Sequence, residues 1–265
     1  MLTRQFPELK GLILDMDGVL WKDKESIGDL PLIFSIISGM GLKVAAATNN
    51  AAQSVNEYIQ KFAGFGVELA KEQIVTSATV TIALLQQHFA AGTSVYVVGS
   101  KSLMQMVREA GFHLSNDDSY PKAEAVVVGL DREMTYERIH VASKLVRHGA
   151  AFLACNTDAT YPMPSGVQPG AGVMVAAIQT ASGVVPTILG KPMPYPYQAA
   201  LRYLGCQPSE AMGIGDRLST DIAGAQAARC LTGFVCSGVN SRAEAEAWHP
   251  PIHIIANDLW SLLNV

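Results

Sequence analysis

The strongest candidates for catalytic residues in this chain are two aspartates, Asp15 and Asp17, which are followed directly by Gly18. They come directly after the apolar run Gly11–Leu14, which predicts a buried strand of a parallel sheet. Open α/β sheets bind ligands at the carboxyl edge of their strands, so both carboxylates are expected there. Two carboxylates with a glycine that permits a sharp turn can supply a nucleophile and a proton donor around a shared cation. Taken alone, the motif is equally compatible with an ordinary strand-ending turn.

A second polar cluster, Thr48, Asn49 and Asn50, follows the apolar run 44–47 and precedes a helical pattern. A hydroxyl, a carboxamide and free backbone N–H groups at a helix N-terminus can bind phosphate without carrying charge. Taken alone, Thr48 is as well explained as a helix N-cap.

Lys191 follows a third apolar run, 188–190, and is trailed by Pro192 and Pro194, which prevent the strand from continuing. A lysine held beside carboxylates would neutralise a nucleophile and hold a transferring phosphoryl group. A solvated surface lysine is the alternative.

A fourth run, 211–215, ends in Gly213-Ile214-Gly215-Asp216, and Asp221 follows at a predicted helix start. Carboxylates at strand ends are hard oxygen ligands for Mg²⁺. The glycine pair resembles part of a dinucleotide fingerprint, but Leu218 stands where the third glycine is required. A nucleotide-binding dehydrogenase is therefore disfavoured.

The elements that must position these residues alternate between strands and helices, which predicts an α/β fold with a doubly wound parallel sheet. The predicted strands are Leu12–Asp15, Val44–Thr48, Val95–Gly99, Ala125–Gly129, Ala151–Cys155, Thr187–Leu189, Ala211–Gly215, Thr232–Cys236 and His253–Ile255. The predicted helices include Ser54–Phe65, Lys101–Ala110, Tyr136–His148, Pro196–Leu204 and Asp221–Ala228.

The middle of the chain contains its own set of three strand–helix units. It is therefore predicted to be an inserted domain, residues 78–185, within a discontinuous core of residues 1–77 and 186–265. Its last connection, 156–170, is long and rich in proline, which is typical of a binding loop.

Composition excludes several classes of protein. Of 265 residues, 49% are hydrophobic and 16% charged, which predicts a folded globular protein. A net charge of -4 without a basic run argues against nucleic acid or an anionic membrane as partner. Four cysteines without CxxC spacing indicate a reduced, cytoplasmic protein, and the longest apolar stretch, 170–189, is too broken to span a bilayer. A homo-oligomer is compatible with the sequence.

Taken together and in this order, the four clusters resemble the motifs of the haloacid dehalogenase-like superfamily of phosphohydrolases. The resemblance covers essentially the whole chain and implies a Rossmann-like core. The inserted segment is similar to the α/β cap of the branch with nucleotide, 4-nitrophenyl phosphate and phosphoglycolate phosphatases. Within it, Asn156-Thr157-Asp158 resembles a stretch near that branch's substrate loop, where Asn-Pro-Asp is more usual, so Asp158 is expected to contact substrate.

The resemblance implies a small-molecule phosphate ester as substrate and an aspartyl-phosphate intermediate formed on Asp15. Asp17 is expected to protonate the leaving oxygen and then to take a proton from water. Mg²⁺ is expected to be held by Asp15, Asp216 and the main-chain carbonyl of Asp17, assisted by Lys191. Asp221 is expected to orient a metal-bound water or Lys191.

The non-bridging phosphate oxygens are expected to be bound by the cradle residues, namely Gly18, Thr48, Asn49 and Asn50, together with Lys191. A phosphomutase would keep the same core residues. A non-catalytic binding protein on this fold is a further alternative, although the presence of both Asp15 and Asp17 disfavours it.

Overall fold

The computed structural model describes residues 2–117, 121–163 and 166–264. The chain divides into two compact units. The first, here called the core unit, comprises residues 1–48, 55–75 and 191–265. The second, here called the inserted unit, comprises residues 49–54 and 76–190.

The strands of the described residues are mostly short and apolar. They are β1 (Gly11–Leu14), β2 (Trp21–Lys22), β3 (Glu25–Ser26), β4 (Lys43–Thr48), β5 (Ile74–Thr76), β6 (Ser94–Val98), β7 (His113–Leu114), β8 (Ala125–Val128), β9 (Ala151–Ala154), β10 (Thr160–Met163), β11 (Gly166–Pro169), β12 (Thr187–Ile188), β13 (Ala211–Gly215), β14 (Leu231–Val235) and β15 (Ile254–Ala256).

Helices connect most of these strands. They are α1 (Leu2–Gln5), α2 (Leu30–Gly39), α3 (Val55–Gly64), α4 (Ser77–His88), α5 (Lys101–Glu109), α6 (Tyr136–Arg147), α7 (Ala171–Ser182), α8 (Tyr195–Leu204), α9 (Ala223–Ala227), α10 (Arg242–Glu246) and α11 (Leu259–Leu263). None of the helices in the described ranges is long and apolar enough to cross a membrane.

The core unit is built on a six-stranded sheet with the order β15-β14-β13-β1-β4-β5. The pairs from β4 through β1, β13 and β14 to β15 are parallel. Strands β1 and β13 are buried at every position, as expected for parallel strands covered on both faces. This order sets β1 in the interior of the sheet, between β13 and β4.

Helix α8 shows how local sequence shapes the core unit. Pro196 lies in its first turn, where a missing N–H costs nothing, and Gly205 ends it in the left-handed conformation with φ of +66°. The helix buries Tyr197, which reaches the site described below.

The inserted unit contains a five-stranded parallel sheet with the order β12-β9-β8-β6-β7. Its strands are apolar, and β8 is buried throughout. Helices α6 and α7 pack on this sheet through a core that includes Val126, Val146 and Ile178. The α/β fold predicted from the sequence is confirmed for both sheets.

All nine predicted strands are present, with bounds that agree within one residue. The connection 156–170, predicted as one long loop, contains the antiparallel hairpin β10–β11, in which Pro162 lies opposite Val167. A two-stranded hairpin leaves outward N–H positions unpaired, and proline at such a position removes no ladder hydrogen bond. Pro164 and Ser165 of the predicted loop lie outside the described residues.

Candidate active site

The carboxyl edge of the core sheet carries three polar residues that the sequence singles out. Asp15 directly follows β1, Asp216 directly follows β13, and Thr48 is the last residue of β4. Because β1 pairs in parallel with both β4 and β13, the three residues lie along one edge. The sheet therefore brings together residues that are up to 201 positions apart in the chain, since 216 minus 15 is 201.

The side chain of Lys191 is only 2% exposed and is held by three oxygens. Its Nζ donates to Oδ1 of Asp15 at 2.5 Å, to Oδ1 of Asp221 at 2.6 Å and to the main-chain oxygen of Ala47 at 3.0 Å. Burial alone would lower the pKa of Lys191, but Asp15 and Asp221 outweigh it and raise this pKa well above its usual value. A permanently charged ammonium is therefore fixed beside Asp15.

Asp15, Asp216 and Asp221 form a cluster in which one carboxylate oxygen from each lies within 4.8 Å of the others. Burial raises the pKa of Asp15 well above its usual value, with Lys191 opposing the shift and the two other carboxylates adding to it. Burial and the charge of Asp221 raise the pKa of Asp216 to about 6. Lys191 thus balances only one of three negative charges, and the cluster calls for further positive charge.

The loop after β14 fixes the orientation of Asp216. The N–H of Val239 donates to Oδ2 of Asp216 at 2.6 Å, and a Cβ on Gly238 would lie 1.8 Å from the same oxygen. The hydroxyl of Ser237 donates to the main-chain oxygen of Gly18 at 2.6 Å. Only a residue without a side chain fits at position 238.

Asp17 and Gly18 form the turn after Asp15. Gly18 has φ of +88°, and a Cβ there would lie 2.6 Å from the carboxyl of Asp216, so glycine is required on both counts. Asp17 is exposed, and its Oδ1 accepts a hydrogen bond from Nε1 of Trp21 at 2.9 Å. The carboxylate of Asp17 is not a member of the cluster of three. The metal ligand predicted from Asp17 is its main-chain carbonyl oxygen, which does not require the side chain to join the cluster.

In the inserted unit, two predicted substrate-binding residues bond to each other. Nδ2 of Asn49 donates to both carboxylate oxygens of Asp158, at 3.1 and 3.3 Å. The main-chain oxygen of Asn49 accepts from Nδ2 of Asn156 at 2.7 Å and from the hydroxyl of Ser77 at 2.6 Å. Asn50 accepts from the N–H of Ala52 at 2.9 Å. The predicted phosphate cradle is thus divided, with Thr48 in the core unit and the two asparagines in the inserted unit.

Two family profiles match the sequence. One, described as haloacid dehalogenase-like hydrolase, matches residues 12–113, and another, described as HAD-hydrolase-like, matches residues 188–262. Together they cover more than half of the chain.

The chain belongs to the haloacid dehalogenase-like (HAD-like) hydrolase family.

Similar proteins include phosphatases of several bacteria. The HAD-like hydrolase is 30% identical to 5′-nucleotidase YutF of Bacillus subtilis over 93% of this chain and 94% of that one. It is 31% identical to an acid sugar phosphatase of Staphylococcus aureus over 81% and 82% of the two chains. A glycerol phosphate phosphatase of Mycobacterium tuberculosis, solved with magnesium, matches with a TM-score of 0.85 and 33% identity over 96% of this chain and 76% of that one. The prediction of an enzyme that hydrolyses phosphate monoesters is confirmed.

The donor set of this HAD-like hydrolase fits a magnesium ion. Carboxylate and main-chain oxygens are the hard ligands that Mg²⁺ prefers. Burial, together with the charge of neighbouring carboxylates, raises the pKa values of Asp15 and Asp216, and a divalent cation would favour the charged form of both.

Sequence reasoning missed several residues that support the site of the HAD-like hydrolase. Tyr197 donates its hydroxyl to the main-chain oxygen of Asp221 at 2.7 Å, and Trp21, Gly238 and Val239 act as described above. Gly238 and Val239 follow β14, which lies next to β13 in the sheet. This position after a neighbouring strand is the sequence signal that could have identified them. Trp21 and Tyr197 lie in apolar segments and give no separate signal.

Proposed function

We propose that this HAD-like hydrolase is a Mg²⁺-dependent phosphatase that forms an aspartyl-phosphate on Asp15. The observation that carries the proposal is the contact of 2.5 Å between Nζ of Lys191 and Oδ1 of Asp15 within a cluster of excess negative charge. An ammonium at this position opposes the rise in the pKa of Asp15 and offsets the repulsion between a carboxylate and a phosphate dianion.

In the first half of the reaction, a carboxylate oxygen of Asp15 attacks phosphorus and forms an acyl phosphate. The bond from phosphorus to the ester oxygen breaks, and Asp17 donates a proton to that oxygen. Asp17 suits this role because it is exposed and has one oxygen already held by Trp21.

In the second half, water attacks phosphorus of the acyl phosphate while the carboxylate of Asp17 accepts its proton. The bond between phosphorus and Asp15 breaks, which returns the free carboxylate and releases inorganic phosphate. The same group therefore acts first as acid and then as base.

Asp15, Asp216 and the main-chain oxygen of Asp17 would hold Mg²⁺. When bound, the ion supplies positive charge that screens the attacking carboxylate from the phosphate oxygens. Asp221 orients Lys191, a role supported by their contact of 2.6 Å.

Phosphate oxygens are proposed to be bound by Gly18, Thr48, Asn49 and Asn50, together with Lys191. We propose that the inserted unit acts as a cap and determines substrate choice, with Asp158 as a contact. The substrate class is small phosphate monoesters, as supported by relatives named for nucleotides, sugars and glycerol phosphate. The four free cysteines support a cytoplasmic location.

The test combines a steady-state assay with trapping of the intermediate. Purified protein is assayed on 4-nitrophenyl phosphate near neutral pH with Mg²⁺ or with excess chelator. In parallel, turnover of a phosphate ester labelled in its phosphoryl group is quenched with acid, and protein-bound label is tested for release by hydroxylamine. We expect Mg²⁺-dependent hydrolysis and a hydroxylamine-sensitive label in the wild type.

Asp15→Asn is expected to lose both turnover and label while melting at a similar temperature, since an amide is nearly isosteric but cannot form the acyl phosphate. Glu72→Gln, which removes an exposed carboxylate, is the matched control and should keep full activity. Substantial hydrolysis by Asp15→Asn would point instead to direct attack by water.

A further inference from the structure

Trp21 makes a hydrogen bond that links a buried aromatic cluster to the exposed carboxylate of Asp17. The tryptophan is fully buried at the start of β2, and its Nε1 donates to Oδ1 of Asp17 at 2.9 Å. No hydrogen bond or ion pair among the described residues involves Oδ2 of Asp17. The bond therefore engages one carboxylate oxygen and leaves the other available to a ligand.

The indole ring is held on several sides. It meets Phe62 edge-on at 4.9 Å between centroids and stacks with Phe65 at 5.6 Å. Nζ of Lys61 lies 4.2 Å from the ring centroid, a distance typical of a cation–π contact. All three residues belong to the segment around α3. Because they contact the ring at its edge and its faces, the ring has little freedom to rotate.

The backbone closes the same turn from the other side. The N–H of Gly18 donates to the main-chain oxygen of Trp21 at 2.8 Å. The N–H of Trp21 donates to the main-chain oxygen of Met16 at 3.3 Å. Asp17 is thus tied to Trp21 through both main chain and side chain.

We infer that Trp21 is a positioning residue for Asp17, which fixes the carboxylate in the orientation that transfers a proton to the leaving oxygen. The inference rests on the proposed function, because it concerns the proton transfer assigned there to Asp17. An exposed aspartate samples several rotamers, and a hydrogen bond from a fixed donor selects one of them before substrate binds. Such preorganisation acts on the chemical step rather than on binding.

The leaving group provides the test, because 4-nitrophenolate departs with little help whereas an alkoxide must be protonated. Trp21→Phe keeps an aromatic ring and removes the N–H. We expect kcat/KM for glycerol phosphate to fall on the order of tenfold, with KM nearly unchanged, while kcat/KM for 4-nitrophenyl phosphate changes little. Trp248→Phe, which removes a comparable indole hydrogen bond to Gln226 at 3.1 Å, is the matched control and should alter neither value.

A double-mutant cycle separates positioning from a merely structural role. In the Asp17→Asn background, Trp21→Phe should cause no further change in the ratio of kcat/KM for the two esters. Additive losses, or equal losses on both esters, would overturn the role of Trp21. An Asp17→Asn variant that treats both esters as the wild type does would overturn the proposed role of Asp17 as well.

A spectroscopic measurement keeps the inference testable if Trp21→Phe folds poorly. Of the indole N–H signals of the chain's three tryptophans, one should shift upfield in Asp17→Asn, because an amide oxygen is a weaker acceptor than a carboxylate. Unchanged indole signals would overturn the hydrogen bond itself.

Discussion

Lys191 and Asp221 form an ion pair of 2.6 Å in which both side chains are almost fully buried, at 2% and 4% exposure. A buried pair of this kind is costly to break, since the remaining charge loses both water and its partner. Lys191 also contacts Asp15, so its loss would leave two carboxylates without their cation.

We therefore expect Lys191→Ala to lower kcat/KM for every phosphate ester by a similar factor, on the order of a hundredfold or more. All substrates present the same phosphoryl group to this residue. The free energy of unfolding of the variant should also be lower by about 3 kcal/mol near neutral pH, as measured by denaturant titration. Lys10→Ala, which breaks the exposed pair with Glu210, should leave activity unchanged. A loss confined to some substrates would contradict the assignment.

The raised pKa of Asp216 predicts a pH-dependent gap between the stabilities of the metal-free and Mg²⁺-bound protein. The pKa of Asp216 is about 6 in the folded protein and lower in the unfolded chain. The contribution of Asp216 to the stability of the metal-free protein is therefore lost as pH rises through about 6. Bound Mg²⁺ favours the charged form, so its stabilisation grows over the same range.

Melting temperatures in chelator and in Mg²⁺ should accordingly diverge between about pH 5 and about pH 7. Asp216→Asn, which cannot ionise, should show a smaller gap that widens less across this range, because only Asp15 of the two ligand carboxylates is left to ionise. A gap that narrows with rising pH in the wild type would refute Asp216 as a ligand.

Gly238→Ala should weaken Mg²⁺ binding, because the new Cβ would lie 1.8 Å from Oδ2 of Asp216 and must displace that carboxylate or the loop. We expect the concentration of Mg²⁺ that gives half-maximal activity to rise on the order of tenfold, in line with changes to groups that orient metal ligands. Gly39→Ala is the control, since a Cβ at Gly39 meets no atom within 4 Å. Equal Mg²⁺ requirements in the two variants would show that Asp216 tolerates displacement.

Asp158→Ala should change the ratio of kcat/KM between two alkyl phosphate esters, such as a sugar phosphate and glycerol phosphate. The carboxylate accepts two hydrogen bonds from Asn49, so the substitution also releases that amide. The effect on 4-nitrophenyl phosphate should be smaller, because its leaving group needs little assistance. A uniform loss across esters would indicate that Asp158 acts through Asn49 on the phosphoryl group instead.

The strands that carry the site were predictable because each is an apolar run that ends abruptly in polar residues. Asp15, Thr48 and Asp216 illustrate this, since each lies at the end of a strand whose neighbours the parallel order fixes. Helices α2, α4 and α7 are not among the helices named from the sequence. Their apolar and small residues occur on all sides of the helix, which weakens the 3.6-residue periodicity of hydrophobic positions.

The contacts that orient the site were not predictable from residue types. Asp221 begins a helix in the prediction, whereas the structure has a π-helical turn over Leu218–Ile222. The N–H of Arg217 donates to Oδ2 of Asp221 at 3.0 Å in this turn, and its geometry depends on tertiary packing. The bond between Trp21 and Asp17 likewise follows from the hairpin β2–β3, whose two-residue strands carry no periodic signal.

The strand order of the core sheet also has a consequence for synthesis on the ribosome. One neighbour of β1, β4, follows it closely in the chain, but the other neighbour, β13, follows about 200 residues later. At bacterial and eukaryotic elongation rates, this delay amounts to roughly 10–40 s. Throughout that interval one edge of an apolar strand has no partner in the nascent chain, a state that invites aggregation. The five-stranded sheet of the inserted unit, in contrast, is complete by residue 188. Asp15 is thus translated about 200 residues before Asp216, and its surroundings form only after that later segment has been made.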